Sequence, residues 1–206
     1  MTEWFLLLAP MAGFAMATSA TPGPVVIVSA MTGARFGLLR SFGYALGATV
    51  SFVAILVLTG LGLGTVIVDN PAVAKALAVV GAVYILYLAY KVARIKEIGL
   101  GDTEAEDSAT PPGFISGMVA QAANPKAWVS AVSAVSVYVA TAPDYDRALT
   151  AFSGVYFVVC LLCLWGWAAV GRWISALSGN VILFTRIMAA LLALSVIVFL
   201  VSVLVG

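Results

Sequence analysis

The chain has 206 residues, of which 63% are hydrophobic and 9% charged, and ten Lys and Arg against nine Asp and Glu give a net charge of +1. Soluble domains are about 45–50% apolar and about 25% charged, so most of the outer surface is predicted to face lipid. The composition excludes a disordered chain and a disulfide-linked secreted domain, and the balanced charge excludes a nucleic-acid-binding domain.

The cysteine and histidine content narrows the chemistry further. The chain contains no His, which excludes Ser-His and Cys-His catalysis and His-ligated metal or haem. Cys160 and Cys163 lie three residues apart in an apolar run, a poor arrangement for a disulfide. We interpret them as small residues at a helix contact, and we predict no metal and no cofactor.

A membrane-spanning helix needs about 20 apolar residues. The sequence predicts six such segments, at 4–34, 41–68, 72–90, 114–139, 149–170 and 182–205. We therefore predict an all-α integral membrane protein with a single membrane domain. Its parts are a first three-helix repeat at 1–93, a cytoplasmic linker at 94–113 and a second three-helix repeat at 114–206.

The orientation follows from Lys and Arg in the short connections, which are commonest on the cytoplasmic side. Seven of them lie in the connections after the first, third and fifth segments, if Arg186 is counted as the foot of the sixth segment: Arg35, Arg40, Lys91, Arg94, Lys96, Arg172 and Arg186. Connections after the second and fourth hold only Lys75 and Arg147. The sequence thus predicts that the linker is cytoplasmic and that both termini lie outside.

The first helix of each half contains a helix-breaking sequence. These are Thr21-Pro22-Gly23-Pro24 and Asn124-Pro125-Lys126. Three helices per half give the halves opposite topologies, as in transporters built from inverted repeats. Proline opens the helical hydrogen-bond ladder, and the freed backbone groups cannot face lipid. Broken helices 1 and 4 are therefore predicted to line a cavity for a polar solute, the alternative being proline kinks that serve packing.

Lys126 is the charged residue nearest the middle of a predicted span. It lies 12 residues beyond Phe114, about 18 Å into the membrane at 1.5 Å per residue. An ammonium there is costly unless it faces a cavity or a partner. No Asp or Glu lies inside a predicted span, so a bound anion is one candidate partner. The alternative is a structural lysine that extends to the interface.

Weaker patterns accompany these sites. Glycines four residues apart let helices approach closely, and they occur as Gly43/Gly47, Gly60/Gly64 and Gly113/Gly117. Packing within the bundle is the favoured interpretation, and self-association into a homodimer is the alternative. Tyr84 and Tyr87 share one helix face, where they either line a cavity or fill the bundle.

Several of these segments resemble the LysE/RhtB family of bacterial amino-acid exporters. The resemblance rests on the two breaks, on Arg35-Phe36-Gly37, on Gly43-Tyr44-Ala45-Leu46-Gly47, on Gly60-Leu61-Gly62, on Gly81 to Tyr90 and on Gly113-Phe114. Residues 68–93 look most like the cysteine/O-acetylserine exporter branch. The resemblance implies efflux of amino acids or close derivatives across the bacterial inner membrane, driven by the proton gradient, with periplasmic termini in the predicted orientation.

Two departures from the family pattern bear on substrate charge. Val25-Val26 follow the first break, where many relatives carry Asn or Asp, and Ala48-Thr49 stand where many carry an acidic residue. We therefore expect neutral or apolar amino acids rather than cationic ones. The candidate substrate-binding residues are Ser19, Thr21, Pro22, Gly23, Pro24, Tyr84, Gln121, Asn124, Pro125 and Lys126.

The expected function is secondary active export by alternating access, with an amino acid, the lipid bilayer and a proton as partners. One alternative is a membrane-embedded enzyme that uses a Ser-Lys dyad, for which Lys126 and Ser130 have i,i+4 spacing. The other is a membrane scaffold without transport activity. No catalytic residue is expected on the favoured interpretation.

Overall fold

A computed structural model describes residues 2–64, 70–94 and 110–205, and every regular element in these ranges is helical. In chain order the helices are α1 (Thr2–Ala20), α2 (Pro24–Gly60), α3 (Pro71–Ala93), α4 (Phe114–Ala122), α5 (Pro125–Ala134), α6 (Tyr145–Ser178) and α7 (Val181–Val205). A π-helical turn, Val135–Val139, continues α5. The all-α prediction is confirmed for the described ranges. The end of the second predicted segment and most of the acidic linker lie outside them.

Three helices begin with a proline in the first turn, namely Pro24, Pro71 and Pro125. Proline suits this position because the first N–H groups of a helix have no partner within it. Asn70 and Asn124 precede two of these prolines, and their side chains accept hydrogen bonds from the first backbone N–H groups of α3 and α5. The residues that break the predicted spans therefore also start the next helices.

The connection expected between the first two predicted segments is a kink inside α2. This helix has 37 residues, about 55 Å at 1.5 Å per residue, which exceeds a hydrocarbon core of about 30 Å. Gly37 divides it with φ 79° and ψ 173°, a conformation that residues with a side chain rarely adopt. The indole N–H of Trp165 donates to the carbonyl of Leu38 at 3.0 Å and so satisfies an acceptor next to the kink.

Glycine allows α2 to touch its neighbours backbone to backbone. A methyl group at Gly47 would come within 1.9 Å of the carbonyl oxygen of Phe114, and one at Gly117 within 2.1 Å of that of Tyr44. Gly33 is in similar contact with the backbone of Ala168 on α6. These contacts lie between helices of one chain. They therefore favour the interpretation that the glycine pairs serve packing within the bundle, rather than self-association.

The bundle is arranged around α2, which packs mainly on α6 and α4, while α1 packs on α6 and α3 packs on α7. Its outer surface carries many exposed large apolar side chains, among them Leu39, Val80, Leu162 and Leu194. Such a surface is typical of contact with lipid.

Among the described residues, three helices are long and apolar enough to cross a membrane, namely α2, α3 and α6. The apolar stretches of α1 and α7, Leu8–Ala20 and Val181–Ile197, are shorter. The breaks at residues 21–23 and 123–124 separate α1 from α2 and α4 from α5, and these interruptions position the site.

Candidate functional site

Both predicted breaks contribute to the wall of one cavity, together with α1, α2 and α6. The cavity is half open, and its empty volume is about 390 Å³ when the open mouth is counted. At the first break the cavity is lined by Gly23 and, on the end of α1, by Ser19; at the second it is lined by Asn124 and, on the flanking helices, by Gln121 and Lys126. The two interrupted helices therefore face the same space.

The two breaks also contact each other directly. The Lys126 ammonium donates a hydrogen bond to the backbone carbonyl of Thr21, with 3.3 Å between nitrogen and oxygen. No Asp or Glu belongs to the cavity wall formed by the described residues. The Lys126 ammonium therefore lies at the cavity, where one of its N–H groups is bonded to a neutral carbonyl. Its other two N–H groups can donate to a ligand.

The N-termini of α2 and α5 differ in capping. Asn124 Oδ1 accepts from the Lys126 backbone N–H at 3.2 Å and caps α5. Gly23 occupies the same position before α2 and has no side chain to do so. A helix N-terminus carries partial positive charge and N–H donors that favour an anion. The uncapped N-terminus of α2 and the Lys126 ammonium therefore lie next to each other, and both attract a carboxylate.

Asn124 and Gln121 form a buried pair next to the break. Asn124 Nδ2 donates to Gln121 Oε1 at 3.2 Å, while Asn124 Oδ1 is the cap of α5. Both polar groups of Asn124 are therefore engaged within the protein. These contacts indicate that Asn124 stabilises the conformation of the break in addition to lining the cavity.

Tryptophan side chains satisfy carbonyls next to both breaks. Trp167 Nε1 donates to the carbonyl of Ala20 at 3.1 Å, directly before the first break. Trp128 Nε1 donates to the carbonyl of Ala122 at 2.8 Å, directly before the second. Buried acceptors without partners are costly, so these two indoles stabilise the interrupted helices. Trp167 and Ala20 are far apart in the chain, so this contact leaves no trace in the local sequence pattern.

The remaining predicted site residues lie beside the cavity or away from it. Thr21 contributes its carbonyl to Lys126, and its hydroxyl donates to the carbonyl of Ala17. Pro22 is exposed, while Pro24 and Pro125 begin helices. Tyr84 does not belong to the cavity wall, and its hydroxyl donates to the carbonyl of Ser116 at 3.5 Å.

The wall also contains residues that the sequence analysis did not select for the site, among them Thr18, Phe52, Tyr156, Cys160 and Leu164. On α6, Tyr156, Cys160 and Leu164 follow at intervals of four residues, which places them on one helix face. That spacing was a usable signal, but it is equally typical of residues that pack in a core. Cys160 and Cys163 are free thiols.

Metal binding has no support in the described part of the chain, where no three His, Cys, Asp or Glu side chains are grouped to hold an ion. The polar groups of the wall are an ammonium, amides, hydroxyls and a thiol. Such groups can bind a small zwitterion through charge-assisted and neutral hydrogen bonds.

Comparison with known proteins assigns the family. Residues 16–206 match the LysE type translocator family. Proteins named cysteine/O-acetylserine efflux protein from Salmonella choleraesuis (strain SC-B67) and from Shigella flexneri serotype 5b (strain 8401) are each 28% identical over 173 residues, covering 81% of this chain and 83% of each relative. The protein of the same name from Escherichia coli O139:H28 is 28% identical over 165 residues, covering 77% of this chain and 79% of the relative. No solved structure is significantly similar.

The family match covers nearly the whole chain, including both breaks and every residue of the cavity wall. Translocators are transporters, so the expectation that the chain is not an enzyme is confirmed, and the Ser-Lys alternative is set aside. This chain belongs to the LysE family of membrane translocators.

Proposed function

We propose that this protein is a secondary active exporter of neutral amino acids or their close derivatives across the bacterial inner membrane. The observation that carries the proposal is the juxtaposition of the Lys126 ammonium with the uncapped N-terminus of α2 in one cavity. The relatives named for efflux of cysteine and O-acetylserine support the same substrate class.

The substrate carboxylate is placed between Gly23 and Lys126. Lys126 Nζ lies 3.5 Å from the position that a side-chain carbon on Gly23 would occupy. The absence of that carbon leaves space for a ligand atom beside the ammonium and the N–H groups at the start of α2. Charge-assisted hydrogen bonds of this kind are stronger than neutral ones, so they can fix the carboxylate end of every substrate.

The side chain of the substrate is expected to be uncharged. The described cavity wall contains no carboxylate that could balance a second positive charge, and an unpaired charge away from water is costly. In proteoliposomes, we expect counterflow of cysteine, serine or alanine to exceed that of lysine and arginine by at least about tenfold, equivalent to about 1.4 kcal/mol. Lysine counterflow as fast as that of serine would contradict the assignment of a neutral substrate.

We propose six membrane spans arranged as two inverted three-helix repeats, residues 1–93 and 114–206. Each half begins with an interrupted helix, and both interruptions contribute to one cavity, a plan typical of transporters that work by alternating access. Rocking of one half against the other would expose the cavity to each side in turn. The proton is the proposed coupling ion.

The proposed orientation places both termini in the periplasm and residues 94–113 in the cytoplasm. The reason is that the connections after the first, third and fifth predicted segments hold most of the Lys and Arg, and such connections are usually cytoplasmic. Ser108→Cys in a Cys160→Ala, Cys163→Ala background provides a single labelling site in the linker. In intact cells, a membrane-impermeant maleimide should leave this cysteine unlabelled until the membrane is opened. Labelling in intact cells would reverse the orientation.

A further inference from the structure

The cavity wall has a second polar part, built by the last turn of α1 and the middle of α6. Thr18 Oγ1 and Tyr156 OH are hydrogen-bonded at 2.5 Å. Ser19 lies beside both the Tyr156 hydroxyl and the Cys160 thiol. All four residues line the cavity, and they bring together hydroxyls and a thiol, without a charged group.

Aromatic and aliphatic side chains restrict the space next to these groups. The Tyr156 ring stacks on Phe52 with ring centroids 4.0 Å apart and an interplanar angle of 7°. Leu164 lies one turn beyond Cys160 on the same face of α6 and also lines the cavity. Tyr156 and Cys160 are 1% and 2% exposed, so both are packed firmly into the wall of the cavity.

We propose that Tyr156 and Cys160 of α6, with Thr18 and Ser19 of α1, form the part of the site that selects the substrate side chain. The ligands it fits are amino acids whose short side chain carries a neutral hydrogen-bonding group, namely a hydroxyl, a thiol or an ester. This inference rests on the proposed function, in which Lys126 and the α2 N-terminus hold the carboxylate.

The chemistry of this part of the wall matches that class of side chain. Hydroxyls both donate and accept hydrogen bonds, and a thiol does so weakly. A site that hydrogen-bonds its substrate discriminates against analogues that lack the polar group more strongly than an apolar pocket discriminates by one methylene. Serine should therefore be preferred to alanine, and both should be preferred to phenylalanine, whose ring would have to displace the stacked Phe52 and Tyr156.

The two cysteines provide a matched pair for testing the proposal. Cys160 lines the cavity, whereas Cys163 lies three residues further along α6, outside the cavity wall, with its sulfur 3.5 Å from that of Met16. In counterflow, Cys160→Ala should lower the ratio of serine to alanine transport by about 2- to 10-fold, as expected for one neutral hydrogen bond. Cys160→Leu should suppress transport of O-acetylserine more strongly than transport of alanine. Cys163→Ala should leave both ratios unchanged.

Thiol protection tests the same site without relying on transport rates. In Cys163→Ala, the remaining thiol is Cys160, and saturating serine should slow its reaction with methyl methanethiosulfonate several-fold. Serine is used because free cysteine would consume the reagent. In Cys160→Ala, serine should leave the reaction of Cys163 unchanged. Equal protection of both thiols would indicate a general conformational change and overturn the proposal.

The outcomes separate this inference from the proposed function. Absence of counterflow for every neutral amino acid in the wild-type protein would overturn the proposed function, and the inference with it. Counterflow with unaltered substrate ratios in the Cys160 variants would overturn the inference alone. If Cys160→Leu does not fold, the protection of Cys160 by serine decides the question, and lack of protection counts against the proposal.

Discussion

Replacement of Lys126 by alanine should abolish efflux at ordinary substrate concentrations. If its ammonium binds the substrate carboxylate, the variant loses a charge-assisted contact worth about 1.5–3 kcal/mol, or about 10- to 150-fold in affinity. Membrane insertion should be retained, because the variant removes a charge from the membrane interior. The measurement is amino-acid counterflow in proteoliposomes at matched protein content, compared with efflux driven by a pH gradient.

Counterflow requires binding but no gradient, so the two assays distinguish binding from proton transfer. A lysine that only binds substrate should lose both activities when mutated, whereas one that only carries the proton should keep counterflow and lose the response to pH. Lys126→Arg retains the charge but introduces a planar guanidinium with different geometry, so it should restore little transport. Wild-type activity of Lys126→Ala in both assays would make Lys126 structural and refute the proposed carboxylate site.

Gly23 approaches the same carboxylate site from α2. Its φ of −155° and ψ of 176° are accessible to any residue, and a methyl group would lie 3.5 Å from Lys126 Nζ without a clash. Gly23→Ala should therefore fold but weaken transport by occupying space for the carboxylate. Gly13→Ala is the matched control, because nothing lies within 4 Å of a methyl group there. Equal transport by the two variants would place the carboxylate elsewhere.

Gly47→Ala should destabilise the bundle by about 1–3 kcal/mol, the usual cost of overpacking. The added methyl would meet the Phe114 carbonyl oxygen at 1.9 Å. Since backbone atoms are involved, α2 and α4 must move apart, and a side-chain rotation cannot relieve the contact. We expect the apparent Tm in detergent to fall by about 2–12 °C for a chain of this size, as followed by thermal denaturation and size-exclusion chromatography.

The matched control for Gly47 is Gly154→Ala, which makes the same exchange within α6 where nothing lies within 4 Å of the added methyl. This variant should be neutral or slightly stabilising, because alanine favours helix over glycine. A Gly47→Ala protein as stable as Gly154→Ala would refute the close contact between α2 and α4. A changed oligomeric state at unchanged stability would instead support the self-association alternative.

Local chemistry made part of the site predictable from the sequence. Proline and glycine in an apolar run interrupt a helix whatever surrounds them, so the breaks at Thr21–Pro24 and Asn124–Lys126 could be located without a structure. A lysine far from any charged neighbour has few stable environments inside a membrane, which identified Lys126. The glycine pairs likewise indicated close helix contacts, although their partners were undetermined.

Other parts of the site depend on contacts between residues far apart in the chain. Thr18 and Tyr156 are separated by 138 positions and Trp167 and Ala20 by 147, and no local pattern encodes such pairings. Tyr84 is a further example. Its spacing from Tyr87 indicated that the two side chains share a helix face, but not which residues pack against that face. In the structure the Tyr84 hydroxyl donates to the carbonyl of Ser116. Similarly, the four-residue spacing of Tyr156 and Cys160 indicates a shared helix face but does not show whether that face packs in the core or lines a cavity.

From the sequence alone we could predict the helical membrane class, the two helix breaks and the importance of Lys126, because each follows from the cost of placing polar backbone or charge in an apolar medium. The tertiary structure decided that both breaks share one cavity, that Asn124 caps α5 while α2 remains uncapped, and that α6 supplies Tyr156 and Cys160. These features depend on how the helices rotate and pack against one another. The arrangement of the helices depends on many weak contacts distributed over the whole bundle. It therefore cannot be predicted from any single segment of the sequence.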